Sequence, residues 1–127
     1  MRPTIVWPIL AALAAALLLA PTVAAKDGRD IRVAGTCSAS TTSKLKLSPE
    51  DGGIEVEFEV DQNRNGVRWG VVLFRNGTKV ASRAHVTRAP SGSFESRFVT
   101  GNRAGVDRFV ARATRSGEVC TARASIQ

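Results

Sequence analysis

The chain has 127 residues, with 18 Lys or Arg against 11 Asp or Glu, one His, two Cys and no Tyr. With both Cys expected in a disulfide, the one His leaves no ligand set for a zinc centre, and the length is that of one domain with a modest core. The net charge of +7 favours anionic over cationic partners.

Arg2 opens the chain, Ile5 to Leu19 is an uncharged, mostly apolar run, and Ala20-Pro21-Thr22-Val23-Ala24-Ala25 places small residues at a cleavage site. That order reads as a signal peptide over 1–25. The apolar run is shorter than the about 20 residues a membrane span needs. The expected product is a secreted, extracellular domain over 26–127 without a transmembrane segment. In an oxidising compartment Cys37 and Cys120 pair by default. Two free thiols are the alternative, but the residues lie too far apart for a C-x-x-C redox pair. Closing so long a loop stabilises a fold by about 4–5 kcal/mol.

Charge is uneven. Lys26 to Asp61 holds five basic and eight acidic residues, and Gln62 to Gln127 holds twelve basic and three acidic. Such a field attracts polyanions.

Ile31, Val33, Gly35 and Cys37 share one face of a first strand. Lys44-Leu45-Lys46-Leu47 alternates, Ser48 to Gly53 reads as a turn, and Ile54 to Val60 alternates without a fault. Pairing the two runs sets Leu45 against Val56, Leu47 against Ile54, Lys46 against Glu55 and Lys44 against Glu57. Apolar pairs then share one face and opposite charges the other.

Asp61-Gln62-Asn63-Arg64-Asn65-Gly66 matches the first six positions of a calcium loop. The twelfth position, where a bidentate Glu belongs, is Val72. No metal site is expected there; the stretch reads as the turn of a hairpin. That hairpin would set Phe58 against Trp69, Val56 against Val71, Ile54 against Leu73 and Glu59 against Arg68. Asn76-Gly77 is the strongest short hairpin signal, pairing Leu73 with Val80. With Thr78 it also forms a sequon, relevant only in a eukaryotic secretory pathway. Thr87 to Ser93 is a loop. Ser93 to Thr100, Val106 to Arg115 and Glu118 to Ile126 are strands, the last two joined at Ser116-Gly117 with Arg115 opposite Glu118. Phe109, Ala111 and Ala113 then share a face with Cys120, Ala122 and Ala124.

The predicted fold is all-β: an antiparallel immunoglobulin-like β-sandwich of about 7–8 strands with one disulfide, Cys37–Cys120. The order Cys37, Trp69, Cys120 is that of an immunoglobulin domain. The Cys37-to-Trp69 interval is too long for the usual arrangement, and without Tyr there is no tyrosine corner.

No catalytic set stands out. His85, Asp107 and Ser91 or Ser93 make a triad only on paper, because no G-x-S-x-G surrounds either serine. Glu55, Glu57 and Glu59 have cross-strand basic partners and read as structural rather than as a glycosidase pair. No cofactor is expected. Gly35-Thr36-Cys37-Ser38, Lys44 to Leu47, Ile54 to Asp61, Asn65-Gly66, Trp69 and Asn76-Gly77 together resemble small secreted proteins of high-GC Gram-positive bacteria. The resemblance implies export and a β-domain, with no activity attached.

The expected function is a non-catalytic extracellular binding module whose partner is a protein or an anionic polymer. Candidate polyanion contacts are Arg83, Arg97, Arg103, Arg108, Arg112, Arg115 and Arg123. The alternative is an inhibitor of an extracellular hydrolase that presents Arg88 on the Thr87–Ser93 loop.

Overall fold

A computed structural model describes residues 28–127, so the leader read at 1–25 lies outside the described residues. Nine strands follow one another: β1 Ile31–Ala34, β2 Thr36–Cys37, β3 Thr42–Glu50, β4 Gly53–Asp61, β5 Arg68–Arg75, β6 Thr78–Val86, β7 Ser93–Gly101, β8 Asp107–Arg115 and β9 Glu118–Ile126. They form two antiparallel sheets, ordered β1-β3-β4-β7 and β2-β9-β8-β5-β6. No helix among the described residues is long and apolar enough to cross a membrane.

Alternation decides what is buried. Leu45, Leu47, Ile54, Val56, Phe58, Val60, Trp69, Val71 and Leu73 are all fully buried between the sheets. Each such side chain contributes about 1.5–3 kcal/mol of hydrophobic stabilisation. β8 and β9 turn small residues inward, namely Ala111, Ala113, Ala122 and Ala124. Those short side chains let β9 lie against β1 and β3 of the opposite sheet and leave room for the larger residues facing them.

In immunoglobulin lettering, β3, β4 and β7 occupy the places of A, B and E, and β6, β5, β8 and β9 those of C′, C, F and G. Trp69 is then the buried tryptophan of strand C. The disulfide departs from that plan. Cys37 on β2 lies directly opposite Cys120 on β9, so the bond joins neighbouring strands of one sheet instead of bridging two. This accounts for the long Cys37-to-Trp69 interval: Cys37 precedes strand B altogether. The first strand is also divided. It breaks at Gly35, which passes the chain from one sheet to the other.

Several expected pairings are corrected. β3 meets β4 two residues further along than expected, with Leu45 opposite Phe58, Leu47 opposite Val56, Lys46 opposite Glu57 and Lys44 opposite Glu59. The turn is only Asp51-Gly52, with Gly52 at φ 73°, and Ser48-Pro49-Glu50 continues the strand. A slip of two keeps every side chain on its face, so alternation alone cannot detect it. β4 and β5 do not form a hairpin. They lie in different sheets, and Phe58, Val56 and Ile54 share a core with Trp69, Val71 and Leu73 across the sandwich. The Asn76-Gly77 hairpin forms, with φ of 51° and 82° at those residues. An irregularity after Leu73 pairs it with Ala81 and leaves Val80 as the extra residue.

Candidate functional site

The two outer faces differ in charge. On the four-stranded sheet, cations of β3 and β7 pair with the carboxylates of β4 between them. Lys46 Nζ lies 2.6 Å from Glu57, Lys44 Nζ 3.5 Å from Glu59, and Arg97 reaches Glu55, Glu57 and Glu95 at 3.8, 2.8 and 3.3 Å. The hydrogen bond from Lys46 holds the Glu57 carboxyl below its ordinary range. Glu55, which shares a hydrogen bond with Glu57, is pushed above it. The acidic stripe is a compensated surface.

The five-stranded sheet is different. Its outward residues are Val119, Thr121, Arg123 and Ser125 on β9, Arg108, Val110, Arg112 and Thr114 on β8, and Arg68, Gly70, Val72 and Phe74 on β5. Ser82, Ala84, Val86 and, opposite Phe74, Lys79 follow on β6. Five cations stand on this face with no Asp or Glu among them. The register places Arg123 opposite Val110, between Arg108 and Arg112 of the adjoining strand. Neighbouring strands lie about 4.8 Å apart, so Arg123 is a diagonal neighbour of both Arg108 and Arg112 on the same face. None of the five makes an ion pair among the described residues. A depression at this corner is lined by Asn76, Val106, Arg108, Val110, Arg123 and Ser125.

The sequence-predicted arginines therefore separate. Arg108, Arg112 and Arg123 come together on the cationic face. Arg97 belongs to the compensated face. Arg83, on β6, lays its guanidinium 4.5 Å from the Phe98 ring centroid and donates to the Arg97 carbonyl, tying β6 to β7. Arg115 bonds Glu118 at 2.9 Å and stands over Trp69. Arg103 is exposed in the loop between β7 and β8. Arg68, Lys79 and Phe74 were missed. Their signal was the alternation Arg68, Gly70, Val72, Phe74, opposite in phase to the buried Trp69, Val71 and Leu73.

The loop carrying Arg88 is built against the would-be calcium loop. Thr87, 1% exposed, donates from its hydroxyl to the Arg64 carbonyl and accepts from the Val67 amide. The Gly92 carbonyl accepts from the Gln62 amide. The Arg88 amide donates to the Ser93 carbonyl, and the Arg88 carbonyl accepts from the Gly92 and Ser93 amides. A peptide that enters a protease cleft by strand addition needs a free, extended main chain. Arg88 offers its side chain while its main chain is already paired. In the neighbouring loop, the Asp61 carboxylate accepts the Asn63 amide at 3.1 Å, an Asx-turn that explains the D-x-N spacing. No cluster of three or more metal-ligating side chains occurs among the described residues.

His85 Nε2 lies 2.8 Å from Ser96 Oγ, and its ring stacks on Phe94 at 5.0 Å. Ser96 is wholly buried, so its hydroxyl has no approach for a substrate. Asp107, the third member of the paper triad, is instead bonded to Arg75. The Asn76 side chain is also engaged: Nδ2 donates to Asp107 and Oδ1 accepts the Arg108 amide. A glycan at the sequon would replace one amide hydrogen of that contact.

The chain matches no protein-family model, no curated protein and no solved structure in these comparisons. The chemistry of its own surfaces carries the functional reading.

Proposed function

We propose that this protein is a non-catalytic extracellular module that binds an anionic polymer on the outer face of its five-stranded sheet. One observation carries the reading: Arg68, Lys79, Arg108, Arg112 and Arg123 share a face without a single carboxylate, while the opposite face is compensated. Pairing five cations with an anion chain is favourable chiefly because it releases the chain's condensed counterions. An open sheet face accommodates an extended polymer better than a compact small molecule, which calls for a concave site. The disulfide suits an oxidising, extracellular compartment.

The test is binding to inorganic polyphosphate, heparin and an oligonucleotide between about 50 and 200 mM salt. Affinity is expected to fall steeply with salt. Arg112→Glu with Arg123→Glu should abolish binding, whereas Lys44→Glu on the opposite sheet should leave it nearly intact. No binding at low salt to any of the three, or unchanged binding by the double variant, would overturn the reading.

A further inference from the structure

The chain has five Phe, and four of them, Phe58, Phe94, Phe98 and Phe109, are buried in the core with Trp69. Phe74 is the exception. It lies on the cationic face, half-buried, outside the core cluster. No ring or cation contact to it occurs among the described residues. Across the sheet its row reads Arg123, Val110, Phe74, Lys79. An aromatic ring is therefore set in the middle of a carboxylate-free cationic surface, flanked by valines that keep its surroundings apolar.

A polymer that offers charge alone has no use for that ring. A polymer with planar rings along an anionic backbone uses both parts of the row. Bases stack on exposed aromatic side chains while the phosphates between them are held by Lys and Arg, and an open sheet face is a recurrent platform for this. A duplex keeps its bases stacked on one another and presents none to the sheet. We infer that the polymer this face takes is single-stranded nucleic acid, with a base stacked on Phe74 and phosphates held by Arg108, Arg112, Arg123 and Lys79. This rests on the proposed polyanion-binding reading and narrows it to one chemistry.

The probes are a thymidine oligonucleotide of about 12 residues, its duplex with an adenosine strand, inorganic polyphosphate of matched charge, and anionic phospholipid vesicles. The single strand is expected to bind more tightly than duplex, polyphosphate or vesicles. Phe74→Leu, which keeps the site apolar, should weaken the single strand about tenfold and leave polyphosphate unchanged. Phe74→Trp should restore single-strand binding, with indole fluorescence quenched on addition of the oligonucleotide. Equal binding of single strand and polyphosphate, both indifferent to Phe74→Leu, would overturn the stacking inference while polyanion binding stands. Preference for duplex, or a Phe74→Leu loss confined to vesicles, would likewise overturn it. Absence of binding to every probe would overturn both readings.

Discussion

Arg75 closes a bidentate pair on Asp107 inside the protein: Nε lies 3.0 Å from Oδ1 and Nη2 2.8 Å from Oδ2. The two side chains are 3% and 2% exposed. The remaining Arg75 nitrogen, Nη1, donates to the Gly101 carbonyl at 2.7 Å, and the guanidinium stands over Phe109. Asp107 also accepts from Asn76. The pair thus fastens the end of β5, the start of β8 and the end of β7. Asp107→Leu should destabilise the fold by about 3–5 kcal/mol, because it strands a buried cation. The double variant Arg75→Met with Asp107→Leu should recover much of that loss. Urea unfolding of both variants checks it; a double variant no more stable than the single one would contradict the account.

Cys37 and Cys120 pin β2, a two-residue strand, to the edge of the five-stranded sheet. So short a strand has little pairing of its own to hold it. The bond also shortens the unfolded chain over a separation of 83 residues. Replacing both cysteines with serine should lower stability by about 2–5 kcal/mol. The midpoint of chemical unfolding reads this, and a loss below about 1 kcal/mol would mean that β2 is held by other contacts.

Much of the core was legible because alternation reports a face. Trp69, Val71 and Leu73 on β5, and Ala111, Ala113 and Cys120 on β8 and β9, are all buried as their spacing requires. Alternation does not report a neighbour. Phe58 and Trp69 share the core whether β4 and β5 pair in one sheet or face each other across two, so the supposed hairpin read the same from either side. The Arg115–Glu118 pairing was legible because a two-residue turn ties partners close in sequence. The cationic face was only half legible. Arg108 and Arg112 share a phase along β8, but their separation from Arg97 depends on Glu55 and Glu57 lying in the other sheet, which no local pattern records. The Arg75–Asp107 pair was not legible, since both residues occupy inward positions that alternation reserves for apolar side chains.

Gly92 meets Arg64 where the two loops at one end of the sandwich dock. Gly92 has φ of 68°, and a Cβ there would overlap the main chain of Asn63 and Arg64. Gly92→Ala therefore meets both a strained backbone and a clash, and should cost more than the about 1 kcal/mol typical of strain alone. The damage should be local. Amide exchange should rise at Gly66 and Thr87, whose hydrogen bonds join the loops, while the amides of β8 stay protected. Uniform loss of protection across all strands would show that the loops are not a separate unit.

His85 gives the fold a pH dependence of defined sign. Burial, chiefly, and the nearby charges of Arg83 and Arg88 hold its pKa below the ordinary 6.5. The unfolded chain thus takes up a proton near pH 6.5, and the folded chain does so only at lower pH. Stability from this residue is full above pH 6.5 and declines as pH falls through the interval between the two values. His85→Gln removes the titrating group and retains a polar partner for Ser96. Its unfolding free energy should be flat over that interval where the parent's slopes. Protonation would also add a cation beside Arg83, so the β6–β7 contact at Ser96 should loosen first. Parallel pH profiles for parent and variant would show that His85 titrates alike in the folded and unfolded chains.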